Sequence, residues 1–266
     1  MTKLISAGCV CVDVFEQEGE LRAGGEALNF CGNACTLSGV ETALAGVTGD
    51  DAYADFIRER LRTLPVDTSH LHMVHGATAN HRIRHTADGD RWFAEGAWNG
   101  GVQDAFRLDG ADLAFLQTAD AVHTMYDSPL FGQVLEARRQ GGFLLAVDFN
   151  DHGDYDAWEE YLRDIDLFFI SGAAGDWCEN ALREWSRRFG GVFTVTHGAA
   201  GSASFCGGRV YRCAAVPVER VVDTTGAGDS YIAGFTAEYA RSHDIVKAME
   251  QGSALAAANI VRLGGF

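Results

Sequence analysis

The sequence predicts an α/β fold in which a central, mostly parallel sheet is covered by helices on both faces. Short apolar runs of strand length alternate along the chain with amphipathic stretches of helical length, and parallel strands need such helices to connect them. The 266 residues also include 32 glycines but only three prolines, a mixture typical of a compact domain with many tight turns.

The predicted elements begin with a strand over residues 3–12, followed by a helix over residues 27–38 and a strand over residues 42–47. Residues 51–64 show the clearest helical spacing, because their apolar positions recur every three or four residues. Later strands are predicted at residues 121–123, 143–148, 167–170 and 192–196, with helices at residues 130–139 and 179–189 and a β-like segment at residues 211–222.

One region interrupts the alternation. Between residues 71 and 93, short β-like pieces flank the turn-forming string at residues 87–90, which predicts a hairpin that projects from the main sheet. We therefore expect a single domain over residues 1–266, with a small β lid built from segments near residues 9–25 and 70–97. The alternative is a decoration at the edge of the sheet without a role.

The charge balance excludes several classes of function. There are 21 Lys and Arg against 37 Asp and Glu, a formal charge of −16, which argues against a nucleic-acid or anionic-membrane partner gripped by a broad basic face. Only Lys3 and Lys247 are lysines, and neither stands in a G-K-[ST] context, so a Walker A phosphate loop is excluded. The seven cysteines form no C-x-x-C pair, which predicts reduced thiols and a cytoplasmic protein.

The most informative string is D-T-T-G-A-G-D-S at residues 223–230, where a β-like segment turns into a helix. The first amides of a helix have no internal partner, and with the helix dipole they form an anion site that needs no lysine. Glycine lets the backbone approach a ligand closely. Gly226, Ala227 and Gly228 are therefore the candidate anion hole.

Asp229 is the unusual member of this string, because a carboxylate beside an anion site repels the anion. A positioned aspartate can accept the proton of a hydroxyl that attacks a phosphoryl group. The alternative is that Asp229 only complements the positive end of the helix.

The string D-T-x-G-A-G-D resembles the C-terminal signature of the PfkB, or ribokinase-like, carbohydrate kinases. Three further strings fall in the same order as in that family: G-G-E-A-L-N at residues 24–29, V-T-G-D-D at residues 47–51 and T-H-G-A-A-G at residues 196–201. The resemblance covers essentially the whole chain. It implies a ribokinase-like fold and an ATP-dependent sugar kinase that uses Mg2+.

The resemblance also implies roles for individual residues. Asp229 would be the catalytic base, next to the anion hole of Gly226, Ala227 and Gly228. Sugar hydroxyls would be bound by Asp13, Gly25 and Asn29, and the ATP side would comprise Thr196, Gly198 and Gly201. The family's N-x-x-E is missing, since residues 171–174 read S-G-A-A. No metal ligand is therefore assigned, and nearby Asp176 is a candidate only beside its plainer role as a helix N-terminal acid.

Shorter strings, such as V-D-T-S-H at residues 66–70, resemble the family members that phosphorylate fructosamines. The expected substrate is fructoselysine or a related fructosamine, phosphorylated at the 6-position, and Glu95 between aromatic residues is a candidate to bind its amine. The alternatives are a fructokinase, a ribokinase, a 2-keto-3-deoxygluconate kinase or a nucleoside kinase, and, outside catalysis, a sugar sensor. The aromatic residues around Glu95 could instead form a patch at a lid or dimer contact.

Two further expectations concern the histidine-rich region and assembly. His70 and His72 would share one face of a strand, as a metal pair or as side chains that line the lid or are exposed. The projecting β lid also predicts a homodimer formed through it.

Overall fold

The computed structural model describes residues 1–85, 91–152 and 158–266, except for the side chains of residues 85 and 91–95. The strands are β1 (Thr2–Ala7), β2 (Cys11–Phe15), β3 (Glu20–Gly24), β4 (Val40–Thr48), β5 (Val66–Met73), β6 (Asn80–His85), β7 (Arg91–Asn99), β8 (Ala121–Met125), β9 (Leu144–Asp148), β10 (Leu167–Ser171), β11 (Val192–Thr196), β12 (Ser202–Cys206) and β13 (Arg209–Cys213). The helices are α1 (Glu26–Ala34), α2 (Ala52–Leu61), α3 (Gly110–Leu116), α4 (Phe131–Arg139), α5 (Cys178–Arg188), α6 (Ala227–Ser242) and α7 (Ile245–Asn259).

The described residues form a nine-stranded sheet in the order β13-β12-β11-β10-β9-β8-β1-β4-β5. All neighbouring pairs from β11 to β5 are parallel, and β12 and β13 are added antiparallel at one edge. Apolar clusters lie on both faces of this sheet, one including α4 and α5 and the other including α1, α6 and α7. The predicted α/β architecture with a mostly parallel sheet is thereby confirmed.

A second sheet has the order β3-β2-β6-β7. The predicted hairpin is present, because β6 and β7 pair antiparallel, although its turn string at residues 87–90 lies outside the described residues. Residues 70–73 belong to β5 in the large sheet rather than to this small one. That the small sheet acts as a lid stays a prediction.

Two predicted strands have different bounds in the structure. The run over residues 3–12 is divided between β1 in the large sheet and β2 in the small sheet, because the chain leaves one sheet for the other near Gly8. The β-like segment over residues 211–222 ends as a strand at Cys213, and residues 214–224 are irregular. Pro217 within it has no N–H to donate to a strand ladder.

Helices α6 and α7 touch through glycines. A Cβ added at Gly234 would lie 2.7 Å from the carbonyl oxygen of Gln251, and one added at Gly252 would lie 2.8 Å from that of Tyr231. The two helices therefore need glycine at both positions to pack this closely. No helix among the described residues is long and apolar enough to cross a membrane, and all seven cysteines are free thiols.

The histidines of β5 fasten the edge of the large sheet to α3. His70 Nδ1 and His72 Nε2 lie 2.7 and 2.9 Å from the same carboxylate oxygen of Asp112, whose side chain is 1% exposed. Asp112 also accepts the backbone N–H of Asp109 and so completes a capping box at the start of α3. Burial raises the pKa of Asp112, but the hydrogen bonds from the two histidines and the amide outweigh it and hold the pKa below its usual value.

We expect Asp112→Ala to lower the free energy of unfolding by about 2–4 kcal/mol, because it removes a helix cap and leaves two histidines without their shared acceptor. Urea denaturation followed by circular dichroism measures the change. The matched control is Asp55→Ala in the exposed first turn of α2, for which we expect less than about 1 kcal/mol. We call the contacts of Asp112 with His70 and His72 the β5 clamp. Equal effects of the two substitutions would show that this clamp does not stabilise the fold.

Candidate active site

The site lies at the edge where the parallel strands end. Ser171 and Thr196 are the last residues of β10 and β11, and the first turn of α6 carries Asp229. In open α/β sheets, ligands bind outside the carboxyl ends of the strands. The topology therefore brings the predicted sugar, phosphate and nucleotide residues to a common edge.

The start of α6 has the form expected of an anion site. Gly226 is its N-cap and adopts φ +71, in the left-handed region that favours glycine. The amide of Ala227 already donates to the carbonyl oxygen of Thr224 at 3.1 Å, whereas helical geometry leaves the amide of Gly228 without an intrahelical partner. Gly228 is exposed, and a Cβ added to it would meet nothing within 4 Å. The first turn of α6 is therefore open to solvent at Gly228.

The loop that leads into α6 is held by the end of the chain. The buried Asp223 accepts the amides of Thr225 and Gly264, both at 2.8 Å. Asn259 Nδ2 donates to the carbonyl oxygen of Thr225 at 2.7 Å. A Cβ at Gly226 would lie 2.6 Å from the Cα of Gly265. These contacts fix the backbone of residues 223–226, which leads into the candidate anion hole. None of them could be predicted from the sequence motif alone.

Asn29 joins α1 to the candidate base. Its Nδ2 donates to Asp229 Oδ2 at 2.8 Å, across 200 residues of sequence. Asn29 is 4% exposed, and its Oδ1 has no hydrogen-bond partner among the described residues. Asn33, one turn later, donates to the carbonyl oxygens of both Asn29 and Gly265. The bond orients the Asp229 carboxylate, and the amide oxygen of Asn29 lies against Gly265, where an added Cβ would overlap it.

Asp13 on β2 and Gly25 at the N-cap of α1 are two further predicted sugar residues. Asp13 is 4% exposed on β2, and Gly24 on β3 lets it fit, because a Cβ there would overlap the Asp13 carboxylate. Gly25 has φ +93, and a Cβ on it would lie 2.6 Å from the carbonyl oxygen of Cys9. The G-G of the motif is thus required by two separate close approaches. Glu95, the other predicted sugar ligand, lies on β7 with its side chain outside the description.

Sequence reasoning missed a second carboxylate in this turn. Glu26, the first residue of α1, accepts the backbone N–H of Cys9 at 2.6 Å through Oε1. Burial raises the pKa of Glu26 to about 8; the Cys9 amide opposes this shift, and the charges of Asp229 and Asp127 add to it. Glu26 is part of the G-G-x-x-x-N string and could have been chosen from it. No sequence motif points to Asp127, which follows β8.

The predicted nucleotide residues lie in the turn after β11, where Gly198 is exposed, Thr196 is half-buried and Gly201 is buried. Thr196 ends the strand, and Gly198 and Gly201 take φ +54 and +91. The amide of His197 donates to the carbonyl oxygen of Gly201 at 2.7 Å and closes the turn. An added Cβ at Gly172, within the string that replaces N-x-x-E, would overlap the His197 ring. The turn after β10 therefore packs against the turn after β11.

Oxygen atoms that could bind a metal lie next to the S-G-A-A string at residues 171–174, which stands where the family has N-x-x-E. Asn150 adopts φ +54, which is unusual for a residue other than glycine, and its carbonyl oxygen accepts the amide of Ser171 at 2.5 Å. Its own amide donates to Asp148 Oδ1 at 2.8 Å. Carboxylate and amide oxygens are the ligands that suit Mg2+. Elsewhere in the described chain, His72, Asp109 and Asp112 are close enough to share one ion, but they belong to the β5 clamp.

Comparison with known proteins shows the family of the chain. Residues 10–265 match the pfkB family of carbohydrate kinases. The chain is 35% identical to a fructoselysine 6-kinase of Shigella flexneri and 34% identical to one of Escherichia coli K12, and in both alignments 100% of each chain is covered. The fold is similar to that of an E. coli protein described as a ribokinase II, solved with ATP and Mg2+, at a TM-score of 0.80 and 19% identity over 100% of this chain and 94% of the other. The family match and the full-length relatives establish that this chain belongs to the pfkB family of carbohydrate kinases.

Proposed function

We propose that this carbohydrate kinase transfers the γ-phosphoryl group of ATP to the 6-hydroxyl of fructoselysine or a related fructosamine. The observation that carries the proposal is the Asn29–Asp229 bond, which holds a carboxylate at the open start of α6. The substrate class is supported by two relatives, each named fructoselysine 6-kinase, that match over the full length at about one-third identity.

The proposed reaction begins with the sugar held by Asp13, by Asn29 and by the backbone near Gly25. The Asp229 carboxylate, which Asn29 orients, accepts the proton of the 6-hydroxyl as the hydroxyl oxygen attacks. The new bond joins that oxygen to the γ-phosphorus while the bond between the γ-phosphorus and the β–γ bridging oxygen breaks, and ADP leaves. The amides at the start of α6 stabilise the negative charge on the transferring group.

The nucleotide would lie along the turn of Thr196, Gly198 and Gly201, which is exposed at Gly198. Mg2+ would arrive with ATP and neutralise phosphate charge. The oxygens of Asp148 and Asn150, next to the replaced N-x-x-E string, fit its donor preference and would hold it from the protein side. The homodimer through the small sheet remains a proposal, and light scattering at assay concentration tests it.

The purified protein should phosphorylate fructoselysine with a kcat/KM well above that for fructose, ribose or adenosine. Coupled detection of ADP measures the rates, and phosphorus–proton NMR of the product identifies the modified hydroxyl. Turnover of ribose or adenosine together with none of fructoselysine would refute the substrate assignment, and a phosphate found at another hydroxyl would refute the position.

Replacing Asp229 with Asn should lower kcat by about 10²-fold or more, because the amide cannot take the hydroxyl proton. Sugar binding, measured by isothermal calorimetry, should persist. Asp55→Asn serves as the control, since it removes a carboxylate from the first turn of another helix. If Asp229 only complemented the helix dipole, both variants would keep nearly full activity.

Gly226→Ala should reduce activity by about 10-fold or more, because a Cβ at φ +71 is strained and would press on Gly265. Displacement of the backbone at residue 226 would also move the amides of Ala227 and Gly228. Gly132→Ala in α4 is the matched control, since a Cβ there meets nothing within 4 Å. Steady-state kinetics and the melting temperature separate a lost phosphate site from lost folding. Unchanged kcat in Gly226→Ala would contradict the close approach.

A further inference from the structure

The guanidinium of Arg262, in the turn that follows α7, contacts two buried amide side chains. Its Nη2 donates to Asn33 Oδ1 at 3.0 Å and to Asn259 Oδ1 at 3.1 Å, and its Nη1 donates to the carbonyl oxygen of Ala258 at 3.3 Å. Asn33 is 1% exposed and Asn259 is 0% exposed. The sequence contains 37 acidic residues, yet these three hydrogen bonds all go to uncharged oxygens.

The arginine fixes the direction in which both amides face. Because a guanidinium has donors and no acceptor, each asparagine must turn its amide oxygen towards Arg262 and its amide nitrogen towards other groups. A rotated amide would bring its N–H groups against the guanidinium. Loss of the partner of a buried acceptor costs about 1–3 kcal/mol, so Arg262 holds Asn33 and Asn259 in a single orientation.

The amide nitrogen of Asn33 joins α1 to the chain segment that supports the N-cap of α6. It donates to the carbonyl oxygen of Asn29 at 2.9 Å and to that of Gly265 at 2.7 Å. Gly265 in turn lies against Gly226, where an added Cβ would be 2.6 Å from the Gly265 Cα. Asn29 donates to the candidate base Asp229 at 2.8 Å. This chain of contacts therefore ends at both the candidate base and the candidate anion hole.

The amide nitrogen of Asn259 holds the residue just before that N-cap. It donates to the carbonyl oxygen of Thr225 at 2.7 Å. The neighbouring carbonyl oxygen of Ile260 accepts the amides of Val222 and Asp223, at 2.8 and 3.3 Å. The turn after α7 is thus bonded along the loop before α6, and the orientation of the Asn259 amide decides whether Thr225 keeps its bond.

We propose that Arg262 is a positioning residue of this kinase, which fixes the loop before α6 relative to helix α1 through Asn259 and Asn33. It acts through these two amides and not on the reacting atoms. Displacing a catalytic group by about 1 Å can cost about 10²-fold in rate, so a residue behind the site can control turnover. This inference rests on the proposed roles of Asp229 and of the amides at the start of α6.

Arg262→Met removes every donor and keeps most of the apolar length of the side chain. With the sugar that the unmodified enzyme turns over fastest, we expect kcat to fall about 10-fold while KM for the sugar and for ATP stays within about threefold, because the base and the anion-hole amides act on the transition state. Steady-state kinetics well below the melting temperature separates the two parameters. An arginine that only stabilised the fold would lower the melting temperature and leave kcat unchanged, and that result would overturn the proposal.

Two further variants define the cause of this loss. A single nitrogen of Arg262 makes both amide contacts, and lysine also presents several N–H donors on one nitrogen, so Arg262→Lys should recover most of the lost kcat. Arg188→Met is the matched control, since Arg188 is also exposed and donates to Glu159 from the end of α5. It should leave kcat unchanged.

Double variants test whether Arg262 acts through the asparagines. Arg262→Met is combined with Asn259→Ala and, separately, with Asn33→Ala. If the arginine works through these amides, each double variant should lose less kcat than the product of its two single losses. Losses that multiply in both combinations would refute the route through Asn33 and Asn259.

A measurement without substrate keeps this inference separate from the proposed function. Amide hydrogen exchange should be about 10-fold faster in a peptide spanning residues 223–230 of Arg262→Met and unchanged in a peptide spanning α5. If Asp229→Asn and Gly226→Ala keep full activity, the proposed roles at the start of α6 are wrong and the inference falls with them. If those two variants lose activity while Arg262→Met keeps both its kcat and its exchange rates, the proposed function stands and the positioning role is refuted.

Discussion

The hydrogen bond between Asn29 and Asp229 is the contact on which the rest of the site depends. It joins the first helix to the sixth across 200 residues of sequence, so both helix starts must be placed to within a few tenths of an ångström. Each start is fixed by glycines at close approaches: Gly24 and Gly25 beside Asp13 and Cys9, and Gly226 beside Gly265. The glycines of the two motifs therefore share one task, which is to let the two halves of the site meet.

The loop before α6 is satisfied by the protein itself, since Asp223 accepts the amides of Thr225 and Gly264. Asn29 Oδ1 is buried without a hydrogen-bond partner among the described residues, at a cost of about 1–3 kcal/mol. Trp158 Nε1 and Thr236 Oγ1 are unpaired in the same way in the described chain, so an unpaired buried atom does not by itself mark a binding position.

The sequence was a good guide wherever the signal was local. Hydrophobic periodicity gave the α/β sheet, a turn string gave the hairpin of β6 and β7, and the 223–230 motif located the start of α6. It could not show that the apolar run after Thr2 changes sheets near Gly8, because both halves look like strand. Nor could it find the role of Gly265, which arises only from contacts with Asn33 and Gly226, residues distant in sequence.

The scarcity of lysine has a structural counterpart. Lys3 donates to Thr118, and Lys247 pairs with Asp244 at the start of α7, so neither contacts the residues of the site. Under the proposed function the anion is left to helix amides, which carry only partial positive charge, and the carboxyl groups of Glu26 and Asp229 interact nearby. Mg2+ would then bring positive charge with the triphosphate. The excess of acidic residues is therefore compatible with the proposed binding of ATP, because Mg2+ would supply the positive charge that the chain lacks.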